Sequence, residues 1–330
     1  MMSGVQNMKL LSKKLAVVAA ASALALTACG SESSSSESDQ GGTVAGKNSL
    51  SGIPVIVGSK DFDEQLLLGQ IFAVAFGAAG AEVTDKVNLG GTSVARAALE
   101  SGEIDVYPEY NGTGWAVHLE KENPSFDAKE LTENVKEVDF QENGIVWIGR
   151  SPFNNTYGFV SSPEVTTANG GAFTTQTFME YVRDNPDATV CMESEFPDRP
   201  DGLVLTETAT GIKLPGKQQK ILDTGVIYTE TANNKCTFGE VYTTDGRIPA
   251  LNLTLVQDPG INILYNVSAA MVNDTYRKAP DQFEAIVEAI LEPLNNEEMA
   301  ALNKRVSADG EEPKAVATDY LVSENIIAAQ

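Results

Sequence analysis

Histidine is nearly missing from this sequence, which has a single one, His118, in 330 residues. Its three cysteines, Cys29, Cys191 and Cys236, are far apart, and no Cys-x-x-Cys spacing occurs. Structural zinc sites use closely spaced cysteine and histidine ligands. The sequence therefore predicts no metal site, and nothing in it points to a bound cofactor.

Basic residues are also few: 23 lysines and arginines are set against 46 aspartates and glutamates, which gives a net charge of −23 at pH 7. Such an acidic chain repels the phosphates of DNA and RNA, so we expect no nucleic-acid partner. Hydrophobic residues make up 42% of the chain, enough for a sizeable core.

The start of the chain has the pattern of an export signal. Three lysines precede an alanine-rich apolar run over residues 15–26, which is too short to span a membrane comfortably. The run ends in Leu-Thr-Ala-Cys-Gly at residues 26–30, which resembles the lipobox of bacterial lipoproteins. We expect a lipoprotein signal peptide over residues 1–28 and a lipid on Cys29, which anchors the mature chain to the extracytoplasmic face of the cell membrane. Ordinary cleavage, with Cys29 incidental, is the alternative.

Residues 29–52 are rich in serine, glycine and acidic residues and have no apolar periodicity. This composition predicts a flexible tether between the anchor and a folded head. Cys191 and Cys236 remain in the head once Cys29 carries lipid. Outside the cytoplasm, two remaining cysteines are expected to form a disulfide.

Short apolar runs alternate with helical patterns along the head, which predicts an α/β fold. Apolar residues of the clearest helix recur at i, i+3, i+4, i+7 and i+8 over residues 281–291. Strands are predicted at residues 53–57, 82–89, 104–107, 145–148, 158–160, 188–192, 226–228 and 251–257, and residues 240–248 are predicted as a short strand that opens into a loop. Other helices are predicted at residues 63–80, 94–101, 173–185, 203–211, 297–307 and 313–322.

One segment, residues 105–113, places Tyr107 and Tyr110 on either side of a proline and a carboxylate, ahead of an Asn-Gly turn. A tyrosine offers an electron-rich ring face. Several such faces turned inward would hold a cation that cannot donate hydrogen bonds, such as a quaternary ammonium. The alternative is that both tyrosines are ordinary core or rim aromatics.

Two basic residues lie in loops suited to a ligand. Lys60 follows the predicted strand at residues 53–57, and ligands collect at the carboxyl ends of strands in open α/β sheets. Arg199 lies in the turn-rich loop over residues 195–202. The alternatives are a solvated loop charge for Lys60 and a surface salt bridge for Arg199.

Six segments, in order along residues 53–327, resemble those of the substrate-binding lipoproteins of ABC uptake systems for quaternary ammonium compatible solutes. These solutes are glycine betaine, choline, carnitine and proline betaine. The matching segments are Gly58-Ser-Lys-Asp-Phe-Asp-Glu-Gln65, Leu89-Gly-Gly-Thr-Ser93, Gly102-Glu-Ile-Asp-Val-Tyr-Pro-Glu-Tyr-Asn-Gly-Thr113, Asn154-Asn-Thr-Tyr157, Arg199-Pro-Asp-Gly202 and Val241-Tyr-Thr-Thr-Asp-Gly246.

The resemblance implies a two-lobed periplasmic-binding-protein-like fold of type II, in which each lobe is a mixed sheet flanked by helices. Lobe one would comprise residues 53–155 and 250–330, and lobe two residues 156–249. The implied function is that of an extracytoplasmic protein that closes its lobes around a quaternary ammonium solute and delivers it to the permease subunits of an ABC transporter. We expect a monomer without enzymatic activity.

The resemblance also implies the ligand-binding residues. An aromatic cage would comprise Tyr110, Tyr157, Tyr242 and Tyr265, and the ligand's carboxylate would be held by Lys60, Thr113 and Arg199. Tyr265 departs from the family in its surroundings, since residues 258–266 replace a run that is usually more aromatic and contains proline. Asp61 and Asp63 stand where neutral residues are commoner, which leaves the preferred solute open.

Three rival functions are weighed against this one. A hydrolase is disfavoured because His118 stands alone in a predicted helix over residues 115–119, and no Gly-x-Ser-x-Gly, His-Glu-x-x-His or P-loop motif occurs. A structural or adhesive lipoprotein is disfavoured because nothing repeats. The alternative within the binding class is another small solute, such as an amino acid or an anion. An oxyanion, however, would call for backbone N–H groups without a ring cage.

Overall fold

The structure is a computed structural model that describes residues 42–329. The predicted signal peptide, Cys29 and most of the predicted tether lie outside the described residues. In the described part of the chain, none of the helices combines the length and the apolar character needed to cross a membrane.

Two five-stranded sheets form the centre of residues 42–329. In chain order the strands are β1 (Pro54–Gly58), β2 (Glu82–Lys86), β3 (Val106–Tyr110), β4 (Ile145–Ile148), β5 (Tyr157–Ser161), β6 (Val190–Met192), β7 (Gln219–Ile221), β8 (Phe238–Tyr242), β9 (Thr254–Leu255) and β10 (Val267–Val272). The first sheet has the order β2-β1-β3-β10-β4 and the second the order β7-β6-β8-β5-β9.

The helices flank these sheets, as the α/β prediction requires. In chain order they are α1 (Val44–Lys47), α2 (Asp63–Ala78), α3 (Thr92–Glu100), α4 (Asn111–Thr113), α5 (Ala128–Asn143), α6 (Pro163–Asn169), α7 (Thr175–Asp184), α8 (Leu203–Thr210), α9 (Thr224–Ala232), α10 (Arg247–Ala250), α11 (Asn273–Tyr276), α12 (Pro280–Leu291), α13 (Asn296–Ser307) and α14 (Pro313–Ser323). One π-helical turn, Gly114–His118, continues α4.

The two sheets share one topology. In each, three strands are parallel, and one antiparallel strand joins them to a fifth: β10 pairs with β3 and β4, and β5 pairs with β8 and β9. The antiparallel strand of each sheet is the one that the chain forms on arriving from the other sheet. The expected mixed sheets flanked by helices are thus present.

Two segments connect the sheets, residues 149–156 and residues 256–266. They run side by side, since the Asn155 amide donates to the Tyr265 carbonyl. The sequence analysis places the two crossings near residues 155 and 250. The return comes later than residue 250, because Thr254–Leu255 still pairs with β5 in the second sheet. The alternating pattern of residues 251–257 indicated a strand but not its sheet.

Helix α2 is apolar on most of its surface because it is covered on two sides. It packs against β1 and β3 of the first sheet and against α12, α13 and α14 near the end of the chain. Phe72 and Phe76 of α2 are fully buried, and Phe76 meets the ring of Phe283 edge to face. Burial of each such side chain contributes about 1.5–3 kcal/mol to the stability of the fold. This packing holds α2 in a fixed position against the first sheet.

The last part of the predicted tether is folded. Thr43 caps α1, and Ala45 and Leu50 are buried. The amides of Val44 and Ala45 donate to the carbonyls of residues 325 and 326, so the start of the head is held to its end. Three buried residues spread over eight positions do not produce a detectable hydrophobic period, so the sequence did not predict that this segment is folded.

A second difference concerns residues 226–228, which were predicted as a strand and lie within α9. Ile227 and Tyr228 are buried, whereas Val226 is 43% exposed. A run of three apolar residues has no period of its own, and the flanking threonines gave no helical signal. The sequence analysis also predicted no helix where the structure has α5 and α6.

Cys191 in β6 forms a disulfide with Cys236, which follows α9. Their Cα atoms are 5.8 Å apart, and the bond closes a loop over a sequence separation of 45. Both cysteines are fully buried. The bond ties an interior strand of the second sheet to the segment between α9 and β8.

We predict that both thiols resist alkylation until a reductant is added, as peptide mass spectrometry would show. Replacing both cysteines by serine should lower the free energy of unfolding by about 2–4 kcal/mol, since the unfolded chain would lose its constraint. Urea denaturation measures this change. Labelling of both thiols without reductant would contradict the pairing.

Candidate functional site

One cavity between the two sheets is lined by all seven residues that the sequence assigns to the ligand. Three further residues share it: Phe62, Thr92 and Asn155. The predicted residues are Lys60, Tyr110, Thr113, Tyr157, Arg199, Tyr242 and Tyr265. The free volume is about 20 Å³, roughly the space of one water molecule. The side chains therefore meet closely in this conformation.

Strand register brings the cage tyrosines together. Tyr157 at the start of β5 is directly opposite Tyr242 at the end of β8, so the two rings project from the same face of the second sheet. Tyr110 ends β3 in the first sheet, opposite Val267. Tyr265 lies on the returning crossing segment, where its amide donates to Asn154 Oδ1.

Five aromatic rings form a closed circuit, which we call the aromatic cage: Phe62, Tyr110, Tyr157, Tyr242 and Tyr265. Adjacent ring centroids are 4.7 to 6.3 Å apart around the circuit. The contacts run from Phe62 to Tyr242 (4.7 Å), to Tyr157 (5.4 Å), to Tyr265 (5.6 Å), to Tyr110 (6.1 Å) and back to Phe62 (6.3 Å). Both sheets and one crossing segment contribute rings.

Phe62 is the cage member that the sequence analysis missed. It lies two residues after Lys60, in the turn that caps α2. Its position in the segment Gly58–Gln65 was the available signal, but a lone phenylalanine before a helix is commonly a core residue. Its ring stacks on Tyr242 across the cavity.

The cage phenols remain neutral. Burial raises the pKa of each of the four tyrosines well above its ordinary value. Two of the four donate their hydroxyl hydrogen to buried carboxylates: Tyr110 to Glu64 at 2.7 Å, and Tyr265 to Asp201 at 2.5 Å. The sequence analysis did not identify either carboxylate, because most acidic residues of such an acidic chain are expected to lie on the surface.

Arg199 is a buried residue of this cavity, not part of a surface salt bridge. Its guanidinium forms a bidentate pair with Asp201, at 2.9 and 2.8 Å. It also donates to Thr92 Oγ1 at 3.1 Å, to Glu195 at 3.2 Å and to Thr113 Oγ1 at 3.4 Å. Its Cζ atom is 5.4 Å from the centroid of Tyr157. The charge therefore lies at one end of the aromatic cage.

Glu195 links the two halves of the site. One of its oxygens accepts from the Thr92 amide at 3.0 Å, at the start of α3, and the other accepts from Arg199. The N-cap residue of α3 is Gly91, which has no side chain to cap the helix, and Glu195 caps its first turn instead. A half-buried carboxylate thus spans the boundary between the first-sheet and second-sheet sides of the cavity.

Lys60 is also buried, which excludes the solvated loop charge. Its Nζ atom contacts Glu109 Oε1 at 2.7 Å and is 5.2 Å from the centroid of Tyr110. Burial raises the pKa of Glu109, but the Lys60 charge and a hydrogen bond from His118 outweigh burial and hold the pKa well below its usual range.

His118 and Tyr107 belong to the support behind the cage. Both contact Glu109 Oε2 at 2.8 Å. Tyr107 is fully buried and is a core residue, as the alternative interpretation of the opening segment proposed. Within residues 42–329, no cluster of three or more acidic, histidine or cysteine side chains could hold a metal ion.

Comparison with known proteins gives a family match over most of the chain. The model for the substrate binding domain of ABC-type glycine betaine transport system, OpuAC, matches residues 53–323. The glycine betaine-binding protein YehZ of Escherichia coli (strain K12) is 32% identical over 276 residues, which are 81% of this chain and 90% of that protein.

Two further relatives agree. The glycine-betaine-binding protein of Pseudomonas aeruginosa is 30% identical over 279 residues, covering 82% of this chain and 88% of that protein. The solved structure of apo YehZ from Escherichia coli superposes with a TM-score of 0.60 at 31% identity. The superposition covers 82% of this chain and 98% of that one.

If Lys60 supports the cage through Glu109, we predict that Lys60→Met destabilises the protein by about 3–5 kcal/mol, because it leaves a buried carboxylate unpaired. Urea denaturation measures the loss. Lys86→Met removes an exposed salt bridge to Glu103 and should change stability by less than about 1 kcal/mol. Equal stability of the two variants would show that the Lys60 pair is not structural.

Proposed function

This chain belongs to the family of substrate binding domains of ABC-type glycine betaine transport systems, and we propose that it captures a quaternary ammonium solute for such a transporter. Members of this family are extracytoplasmic binding components of transporters and not enzymes. Glycine betaine is the solute that the names of two relatives give. Choline, carnitine and proline betaine share its quaternary ammonium group and are the other candidates.

The observation that carries the proposal is the aromatic cage. A quaternary ammonium cannot donate an N–H bond, so ring faces and dispersion must replace the water around it. Neighbouring ring centroids are 4.7 to 6.3 Å apart, so the five rings are near enough to one another to surround a single cation within the 6 Å range of cation–π contacts once they separate to admit it.

The interactions of the rings with the cation are strong enough for micromolar binding. Each ring contributes about 0.5–2 kcal/mol to a cation that it faces. Five rings, after the cost of ordering the ligand and closing the site, can reach the roughly 8 kcal/mol that micromolar affinity requires.

The other end of the cavity suits a carboxylate. Arg199 and Lys60 supply charge, and Thr113 supplies a hydroxyl. We infer that the ligand carboxylate takes the place of Glu195, which already accepts from both Arg199 and the Thr92 amide. Charged N–H groups and the start of a helix are favourable partners for a carboxylate.

Binding would close the two lobes. The cavity of about 20 Å³ is too small for any of these solutes, so entry requires the rings of the two sheets to separate. A ligand that touches rings on both sides then favours the closed form, which the permease would recognise. Division into lobes at the crossing segments, the monomeric state and the lipid on Cys29 are parts of this proposal.

We predict that Tyr110→Ala and Tyr157→Ala each weaken glycine betaine binding at least about tenfold, since each removes a cage face. Isothermal titration calorimetry measures the dissociation constants. Tyr276→Ala removes a half-buried tyrosine whose hydroxyl contacts Glu284 outside the cavity, and it should bind as tightly as wild type. Unchanged affinity in both cage variants would show that the aromatic cage does not bind the ligand.

A second prediction separates the two ends of the site. Arg199→Ala should weaken binding of glycine betaine more than that of choline, because only betaine carries a carboxylate. Loss of stability affects both ligands alike, so the ratio of their dissociation constants is the informative quantity. Arg183→Ala, at an exposed arginine, is the control. Equal losses for both ligands would refute the carboxylate role of Arg199.

A further inference from the structure

Glu64 is a buried carboxylate directly behind the aromatic cage. It lies in the first turn of α2 and is 4% exposed. One oxygen accepts from the Tyr110 hydroxyl at 2.7 Å and from Asn155 Nδ2 at 2.8 Å. The other accepts from the Thr244 hydroxyl at 2.7 Å and from Asn303 Nδ2 at 2.6 Å.

This environment fits the ionised carboxylate. Both asparagine amides present N–H groups, and the two hydroxyls donate as well, so all four partners donate to the carboxylate oxygens. The start of a sixteen-residue helix also favours a negative charge. Burial raises the pKa of Glu64, and the four hydrogen bonds oppose that rise.

Glu64 has no cation, a feature that it shares with Glu240 among the buried carboxylates of residues 42–329. Asp201 pairs with Arg199, Glu109 with Lys60, and Asp139 with Arg96. Among the ion pairs of residues 42–329, none involves Glu64. A buried charge without a partner is unfavourable. The two cations beside the cage, Lys60 and Arg199, pair with Glu109 and Asp201, so neither of them compensates the charge of Glu64.

The hydrogen bond with Tyr110 transmits the electrostatic effect of Glu64 to the cage, where the ligand would bind. A phenol that donates its hydrogen to a carboxylate has a more electron-rich ring, and the face of that ring belongs to the cage. The attraction between ring face and cation is electrostatic, so it increases with that electron density. Tyr110 and Glu64 thus act as one unit.

We propose that Glu64 is the counter-charge of the ligand's quaternary ammonium group and acts through Tyr110, so that the site selects cations over neutral groups of the same shape. Glu64 is a positioning residue in this role, because it does not line the cavity. The proposal rests on the proposed function. It adds that charge, as well as shape, decides which solute is held.

The test uses two ligands of one shape. In the tert-butylacetate anion, a carbon replaces the nitrogen of glycine betaine, and the carboxylate is retained. Calorimetry on the full-length protein compares both ligands for wild type and Glu64→Gln. We expect the variant to bind betaine at least about tenfold more weakly and to bind tert-butylacetate as well as wild type or more tightly. Parallel losses for both ligands would overturn the proposal and leave Glu64 a structural residue.

A second variant decides the matter should Glu64→Gln fail to fold. Tyr110→Phe keeps the ring and the other three hydrogen bonds of Glu64, and it should reduce the preference for betaine over tert-butylacetate about threefold or more. An unchanged preference would refute transmission through the phenol. Asp139→Asn, at a buried carboxylate outside the cavity, is the matched control and should leave the preference unchanged.

The outcomes also separate this proposal from the one on which it rests. If wild type binds neither ligand, the proposed function fails. If wild type prefers betaine and Glu64→Gln keeps the same preference, the proposed function stands and the role of Glu64 is wrong.

Discussion

Removing a permanently charged nitrogen from water without an N–H donor is the constraint on which this site depends. Only ring faces and buried negative charge can replace that water, and rings must surround the group on several sides. A single sheet offers one face, so the rings come from two sheets and from the segment that connects them. Tyr157 and Tyr242 are fixed by cross-strand register, Tyr110 by the end of β3, and Phe62 by the turn into α2.

The charges around the cage follow from the same constraint. Arg199 and Lys60 are each held by a buried carboxylate, so they stay in place when the site is closed. At one end of the cavity, Glu195 accepts from Arg199 and from the Thr92 amide. At the other end, Glu64 lies behind Tyr110 and has no cation partner. A zwitterionic ligand would complete both ends at once, with its carboxylate in place of Glu195 and its ammonium opposite Glu64. Stability of the closed form and affinity for the ligand are thereby linked.

Much of the site was predictable because its residues sit at strand ends and in short turns with recognisable neighbours. Lys60 follows β1, and the cage tyrosines lie in segments that resemble a known family. The partners of these residues were not predictable, since contacts such as Glu64 with Asn303 join distant parts of the chain. Residues 226–228 show a related limit: three apolar residues suit a strand or a buried helix face, and only packing against the sheet decides.

The most direct measurement is the affinity of the wild-type protein for glycine and its methylated forms, from the free amino acid to glycine betaine. Each methyl group removes an N–H donor and adds surface for the rings. The account predicts that affinity rises with methylation, is greatest for the fully methylated nitrogen, and is too weak to detect for glycine. Tighter binding of glycine than of glycine betaine would contradict the account and would favour an amino acid as the solute.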